Sequence, residues 1–87
     1  MNGGFTPPGG YRPAVKRSVT IAGHATSISL EPLFWAALEG AARGRGLPLS
    51  ALVAEIDAVR IRQKRPPNLA SAIRTWLFQT VAGEAGG

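Results

Sequence analysis

Between Val15 and Ala22 the chain alternates. Val15, Arg17, Val19 and Ile21 fall on one face, and Lys16, Ser18, Thr20 and Ala22 on the other. Period-two patterning of this kind predicts a β-strand. Gly23-His24-Ala25 interrupts it, and a second alternation sets Thr26, Ile28 and Leu30 against Ala25, Ser27 and Ser29. The first strand either extends the second through a glycine kink or folds back on it as a hairpin, and both fit the sequence. A hairpin covers one edge of the second strand and leaves the other for a partner.

After Leu30 the period changes to that of a helix. Glu31-Pro32 begins it, with proline placed in a first turn where its missing N–H costs nothing. From Leu33 to about Arg45, Phe34, Leu38, Ala41 and Ala42 recur at helical spacing with Trp35 beside them, and Gly46 is the natural stop. Gly40 weakens this helix by about 1 kcal/mol relative to alanine unless another backbone approaches closely there. A second helix is expected from Leu49 to Arg62 on the stripe Leu52, Val53, Ile56 and Val59, with Pro66-Pro67 ending it. Asn68 then caps a third helix from Leu69 to about Val81, carrying Ile73, Trp76, Leu77 and Val81 near one face. No internal repeat is visible.

Length turns these elements into a question about stability. The chain has 87 residues, and three of its seven prolines and four of its glycines lie within the first 13. That composition builds no packed core and reads as a disordered arm. The expected organisation is an arm over 1–14, a core with its preceding strand over 15–62, a basic proline linker over 63–67, an additional helix over 68–82 and a tail over 83–87. A unit this small usually needs a disulfide, a metal or a second copy. Cysteine is absent and His24 is the single histidine, so thiolate and His-rich metal sites are excluded and no cofactor is expected. Oligomerisation remains. A lone strand also leaves both edges unpaired, and a second copy of the chain is the cheapest source of a partner.

The charge narrows the class of partner. Ten Lys/Arg stand against five Asp/Glu, for a net charge of +5. Arg60, Arg62, Lys64, Arg65 and Arg74 lie in a stretch with no acid between Asp57 and Glu84. Clustered base of this kind favours a polyanion, either nucleic acid or an anionic membrane surface. No apolar run approaches the roughly 20 residues of a membrane span. The first residues lack a basic region followed by an apolar one, so no secretion signal is read and the cytoplasm is the expected compartment. Within the basic run, Glu55 and Asp57 stand at helical spacing from Arg60 and Arg62, where pairing would lower the free charge.

Strand, helix, Gly-centred turn and helix, written ATSISL, EPLFWAALEGAARGR, GLPLS and ALVAEIDAVR, resemble the ribbon–helix–helix (Arc/MetJ-type) family over Ala25 to about Arg60. Taken whole, including RSVTIAGHATSISLEPLFW and the later NLASAIRTWLF, the chain looks like a bacterial subgroup with an N-terminal extension and an extra C-terminal helix. The resemblance implies a mainly α fold with a short β-ribbon, an intertwined homodimer in which two chains pair their strands, plus the third helix. It places Thr26, Ile28, Leu30, Phe34, Leu38, Leu52, Val53 and Ile56 in the dimer core. Ala25, Ser27 and Ser29 then face the DNA major groove, which admits a two-stranded ribbon. The helix start at Leu49, Ser50 and Ala51 matches a phosphate anchor, because helix N-termini favour anions.

Two departures from the family pattern bear on function. Strong base readers carry long side chains on the ribbon, worth about 1–3 kcal/mol per bidentate contact. Here the matching side chains are short. Pro48 also stands where a serine or threonine commonly caps the second helix. The remaining phosphate candidates are Lys16, Arg17, His24, Arg60, Arg62, Lys64 and Arg65. His24 has no nucleophile, carboxylate or second histidine at a recognisable spacing, which argues against an enzyme. The expected function is that of a small homodimeric transcriptional regulator on double-stranded DNA. The alternative is a dimeric protein-interaction module using the last helix, motivated by Trp76, Leu77 and Phe78. Binding of that helix and Arg62–Arg74 to a membrane surface is the lesser alternative.

Overall fold

The computed structural model describes residue 6 and residues 9–86, with the side chains of 84–86 excepted. Much of the arm expected over 1–14, namely residues 1–5, 7 and 8, lies outside the described residues. Two strands, β1 (Val15–Ile21) and β2 (His24–Leu30), are followed by α1 (Pro32–Gly44), α2 (Leu49–Arg60) and α3 (Leu69–Gly86).

The hairpin is the arrangement found. β1 and β2 pair antiparallel over their full length, from Val15 opposite Leu30 to Ile21 opposite His24. The turn is Ala22-Gly23, one residue earlier than the interruption read from the sequence, and His24 already belongs to β2. Both turn residues have positive φ, 52° and 82°. That is the backbone of a type I′ turn, whose twist matches the strands it joins. Register then fixes the faces. Val19, Ile28 and Leu30 are buried, Arg17, Ile21 and Thr26 are half-buried, and every residue of the opposite face is exposed.

α1 begins on Pro32 and closes on Gly46 at φ 67°. Leu47 N–H donates to the Ala42 carbonyl at 2.9 Å and Gly46 N–H to that of Arg43 at 3.0 Å. These two bonds form a Schellman close, which consumes carbonyls the helix end would leave unpaired. α2 starts at Pro48 with no side-chain cap, as the missing serine or threonine led one to expect. α3 is capped as its sequence predicts, Ser71 N–H donating to Asn68 Oδ1 at 2.8 Å. It runs to Gly86, so residues 83–86, expected as a loose tail, continue the helix.

One core joins hairpin and helices. It comprises Val19, Ile28, Leu30, Trp35, Leu38, Ala42, Leu52, Val53, Ile56, Ile73 and Leu77. Burying side chains such as Leu30, Leu38 and Leu52 contributes about 1.5–3 kcal/mol each. Six of the eight residues expected in a dimer core are buried within the single chain, and Thr26 and Phe34 are half-buried. Polar ties fasten the additions at either end. Trp35 Nε1 donates to the Val15 carbonyl at 2.9 Å, holding the start of β1 on α1. Arg74 Nε and Nη2 donate to Glu31 Oε1 at 3.0 and 2.9 Å, holding α3 at the β2–α1 junction. A backbone hydrogen bond at Glu31, then the Arg74 guanidinium, keep the Glu31 carboxyl below its ordinary pKa.

Candidate nucleic-acid interface

The outer face of the hairpin follows from register alone. Alternate residues of an antiparallel pair share a face, so Lys16 stands opposite Ser29, Ser18 opposite Ser27, and Thr20 opposite Ala25. All six are exposed. The three residues expected to face a groove, Ala25, Ser27 and Ser29, lie together here as one strand of the face. Lys16, expected only as a phosphate contact, lies in the other strand. Ser18 and Thr20 were missed. Their alternation was visible in the sequence, but only the hairpin register puts them beside Ser27 and Ser29. The face presents one cation and four hydroxyls, each hydroxyl able to donate and to accept.

Two other candidates, Arg17 and His24, have the parity of the inner face. Arg17 points to the helix side, where its guanidinium lies 4.5 Å from the Trp35 ring centroid and 3.4 Å from Glu39 Oε2. His24 shares the parity of Thr26 and Ile28 and is exposed at the hairpin tip. Arg60 is also engaged: its Nε donates to Asp57 Oδ1 at 2.8 Å and its Nη1 to the Pro67 carbonyl at 3.1 Å. The Asp57 pairing expected from helical spacing is thus present. Arg62, Lys64 and Arg65 follow α2 and are exposed.

At the start of α2, Leu49, Ser50 and Ala51 are half-buried in the first turn. Ala51 N–H donates to the Pro48 carbonyl at 3.1 Å, which removes it from the free donors of that turn. Trp76 is half-buried with Arg45 over its ring at 5.0 Å, while Trp35 is buried. Both tryptophans pack, as their positions among apolar helical residues suggested. Among the described residues no group of three or more His, Cys, Asp or Glu is placed to hold a metal ion. No helix of the described residues is long and apolar enough to cross a membrane.

β2, α1, the Gly46 turn and α2 follow one another as strand, helix, turn and helix, and the chain matches the family described as "Ribbon-helix-helix domain" over residues 14–81. The chain belongs to the ribbon–helix–helix family. The match takes in β1 and most of α3, so the strand before β2 and the third helix are part of the matched domain. Ribbon–helix–helix proteins are in general DNA-binding transcription regulators rather than enzymes, and they generally dimerise. No curated protein and no solved structure matches the chain.

Proposed function

We propose that this ribbon–helix–helix protein is a transcription regulator that lays the outer face of its β1–β2 hairpin in the major groove of double-stranded DNA, two copies acting on one operator. The observation that carries the reading is the exposed polar face of a ribbon two strands wide, on a chain with net charge +5. A ribbon of that width is one of the elements the groove admits. Ser18, Thr20, Ser27 and Ser29 touch base edges, with Ala25 between them against thymine methyls.

Lys16 at the rim, His24 at the tip, the free N–H groups of Leu49 and Ser50, and Arg62, Lys64 and Arg65 hold phosphates. Arg17 and Arg60 contribute less than their charge suggests, because each is already paired within the chain. Short hydroxyl side chains read bases weakly, while phosphate contacts release counterions. Affinity therefore falls steeply with salt and sequence preference stays modest. An anisotropy titration of a mixed-sequence duplex tests this. Binding at about 50 mM salt that weakens by orders of magnitude toward 200 mM supports it, and no binding at about 50 mM refutes it.

One observation favours the second reading, a protein-interaction surface on α3. Ile73 and Leu77 pack into the core and Trp76 is half-buried, but Phe78 is 73% exposed and Val81 58% exposed. Val81 also lines a groove against Ala37, Gly40, Ala41 and Gly44 of α1. Phe78→Ser that leaves DNA affinity and regulation of a target promoter unchanged would remove this reading.

A further inference from the structure

Between α2 and α3 lies a cleft of about 320 Å³ whose lining includes no residue of either strand. Pairing of a second copy along a strand edge therefore uses none of its lining. Leu52, Ile56 and Val59 stand at i, i+4 and i+7 of α2, so they form one wall. Leu52 and Ile56 are buried, whereas Val59 is 56% exposed. Trp76, half-buried, supplies the α3 side. Small-molecule sites often occupy such spaces between packed helices, and this volume falls at the lower end of their range.

Two cations border the apolar wall. Arg45, which follows α1, holds its guanidinium 5.0 Å from the Trp76 ring centroid. Arg62, just past α2, lines the same cleft. Arg17, Arg60 and Arg74 are each paired with a carboxylate. Arg45 and Arg62, by contrast, form no side-chain hydrogen bond or ion pair among the described residues. A guanidinium is a planar fork that matches a carboxylate with two parallel hydrogen bonds. Resting over an indole, it is already positioned and loses little freedom on taking one. Glu55 also lines the cleft. It opposes a second negative group in a ligand, while two arginines against one glutamate leave the cleft cationic.

We propose that the α2–α3 cleft binds a small amphipathic monocarboxylate. Its carboxylate sits on the Arg45 guanidinium, with Arg62 adding charge, and its apolar body lies against Leu52, Ile56 and Val59. Covering Val59 supplies the apolar share of the affinity. A cationic molecule with the same body gains that share and meets repulsion at both arginines. The site goes beyond the DNA-binding reading and does not depend on it, and its test contains no DNA.

The test uses the full chain, isotope-labelled for amide and indole N–H signals, with phenylbutyrate as the probe. Phenylbutylammonium is the cationic counterpart. The two indole signals separate the site from the rest of the molecule. Trp76 lines the cleft, while Trp35 is buried and donates to the Val15 carbonyl. The expected result is a saturable shift of the Trp76 signal by phenylbutyrate below about 10 mM, with the Trp35 signal still. The ammonium probe should bind at least about tenfold more weakly. Arg45→Ala and Val59→Glu, both at exposed positions, should each weaken phenylbutyrate by at least about tenfold. An unmoved Trp35 signal in each variant shows that the fold is intact. No saturable shift by about 10 mM, an equal response to the two probes, or unchanged affinity in either variant overturns the proposal.

Discussion

The inner and outer faces of the β1–β2 hairpin are made from alternate residues of the same two strands, and they are specified to very different degrees. On the inner face Val19, Ile28 and Leu30 are buried, and the charged member, Arg17, is stacked on Trp35 and paired with Glu39. On the outer face Lys16, Ser18, Thr20, Ala25, Ser27 and Ser29 stand in solvent. Packing dictates the first set, because a one-residue slip would move the whole apolar set into water. The fold leaves the second set free to suit another molecule. Short hydroxyls along a two-stranded ribbon let a surface approach closely but give little power to discriminate, so under the proposed reading grip and selectivity have separate sources.

Truncation should divide the two faces most sharply. Leu30→Ala is expected to cost about 2–5 kcal/mol, because it removes a fully buried side chain and leaves a cavity. Its neighbour in β2, Ser29→Ala on the outer face, should change stability by no more than about 0.5 kcal/mol. Urea midpoints at one protein concentration check the pair, and similar losses for both would dissolve the distinction. Trp35→Phe probes the tie between the inner face and α1. It keeps an aromatic ring but removes the indole N–H from the Val15 carbonyl, for an expected loss of about 1–2 kcal/mol. An unchanged midpoint would show that the start of β1 is held by packing alone.

The smallest effect concerns acid. Glu31 has a folded pKa below its ordinary value, so its ionised form, held by a backbone hydrogen bond and then by Arg74, contributes fully above the ordinary carboxylate range. That contribution fades as pH falls through the lowered folded value. A modest loss of stability below about pH 4 is expected, and Glu31→Gln should flatten that part of the curve. A larger acid loss in the variant than in the parent would contradict the assignment.

Much of the fold was legible in the alternation of residues 15–30 and in the helical stripes that follow. Gly46 and Asn68 marked their helix ends because a positive φ and a side-chain cap each favour few residue types. The hairpin was not legible. Its turn places Ala22, a residue with a Cβ, at φ 52°, where asparagine or aspartate would have declared the turn type. Without the turn the register was open, and without the register Ser18 and Thr20 had no link to Ser27 and Ser29. The fate of the arginines was equally hidden. Arg17 and Arg60 look like free charge in the sequence, and only tertiary contacts to Trp35, Glu39 and the Pro67 carbonyl show them engaged. Asp57 was the exception, since helical spacing alone pointed to its pairing with Arg60.

Gly40 carries a smaller lesson. A Cβ there would meet only the Arg43 side chain, at 3.9 Å, so no close backbone approach requires glycine. Gly40→Ala is expected to stabilise the protein, by about 1 kcal/mol or less.

The most direct test of the outer face as the DNA-contacting surface is Ser27→Glu, which puts a negative charge at its centre, opposite Ser18. Anisotropy titrations of parent and variant on the same duplex, at about 50 mM salt, are read beside their urea midpoints. Affinity at least about tenfold weaker, with the midpoint unchanged, is the predicted result, because the new charge faces the polyanion and nothing in the core. Equal affinity for parent and variant would mean that DNA, if it binds, binds elsewhere on the molecule.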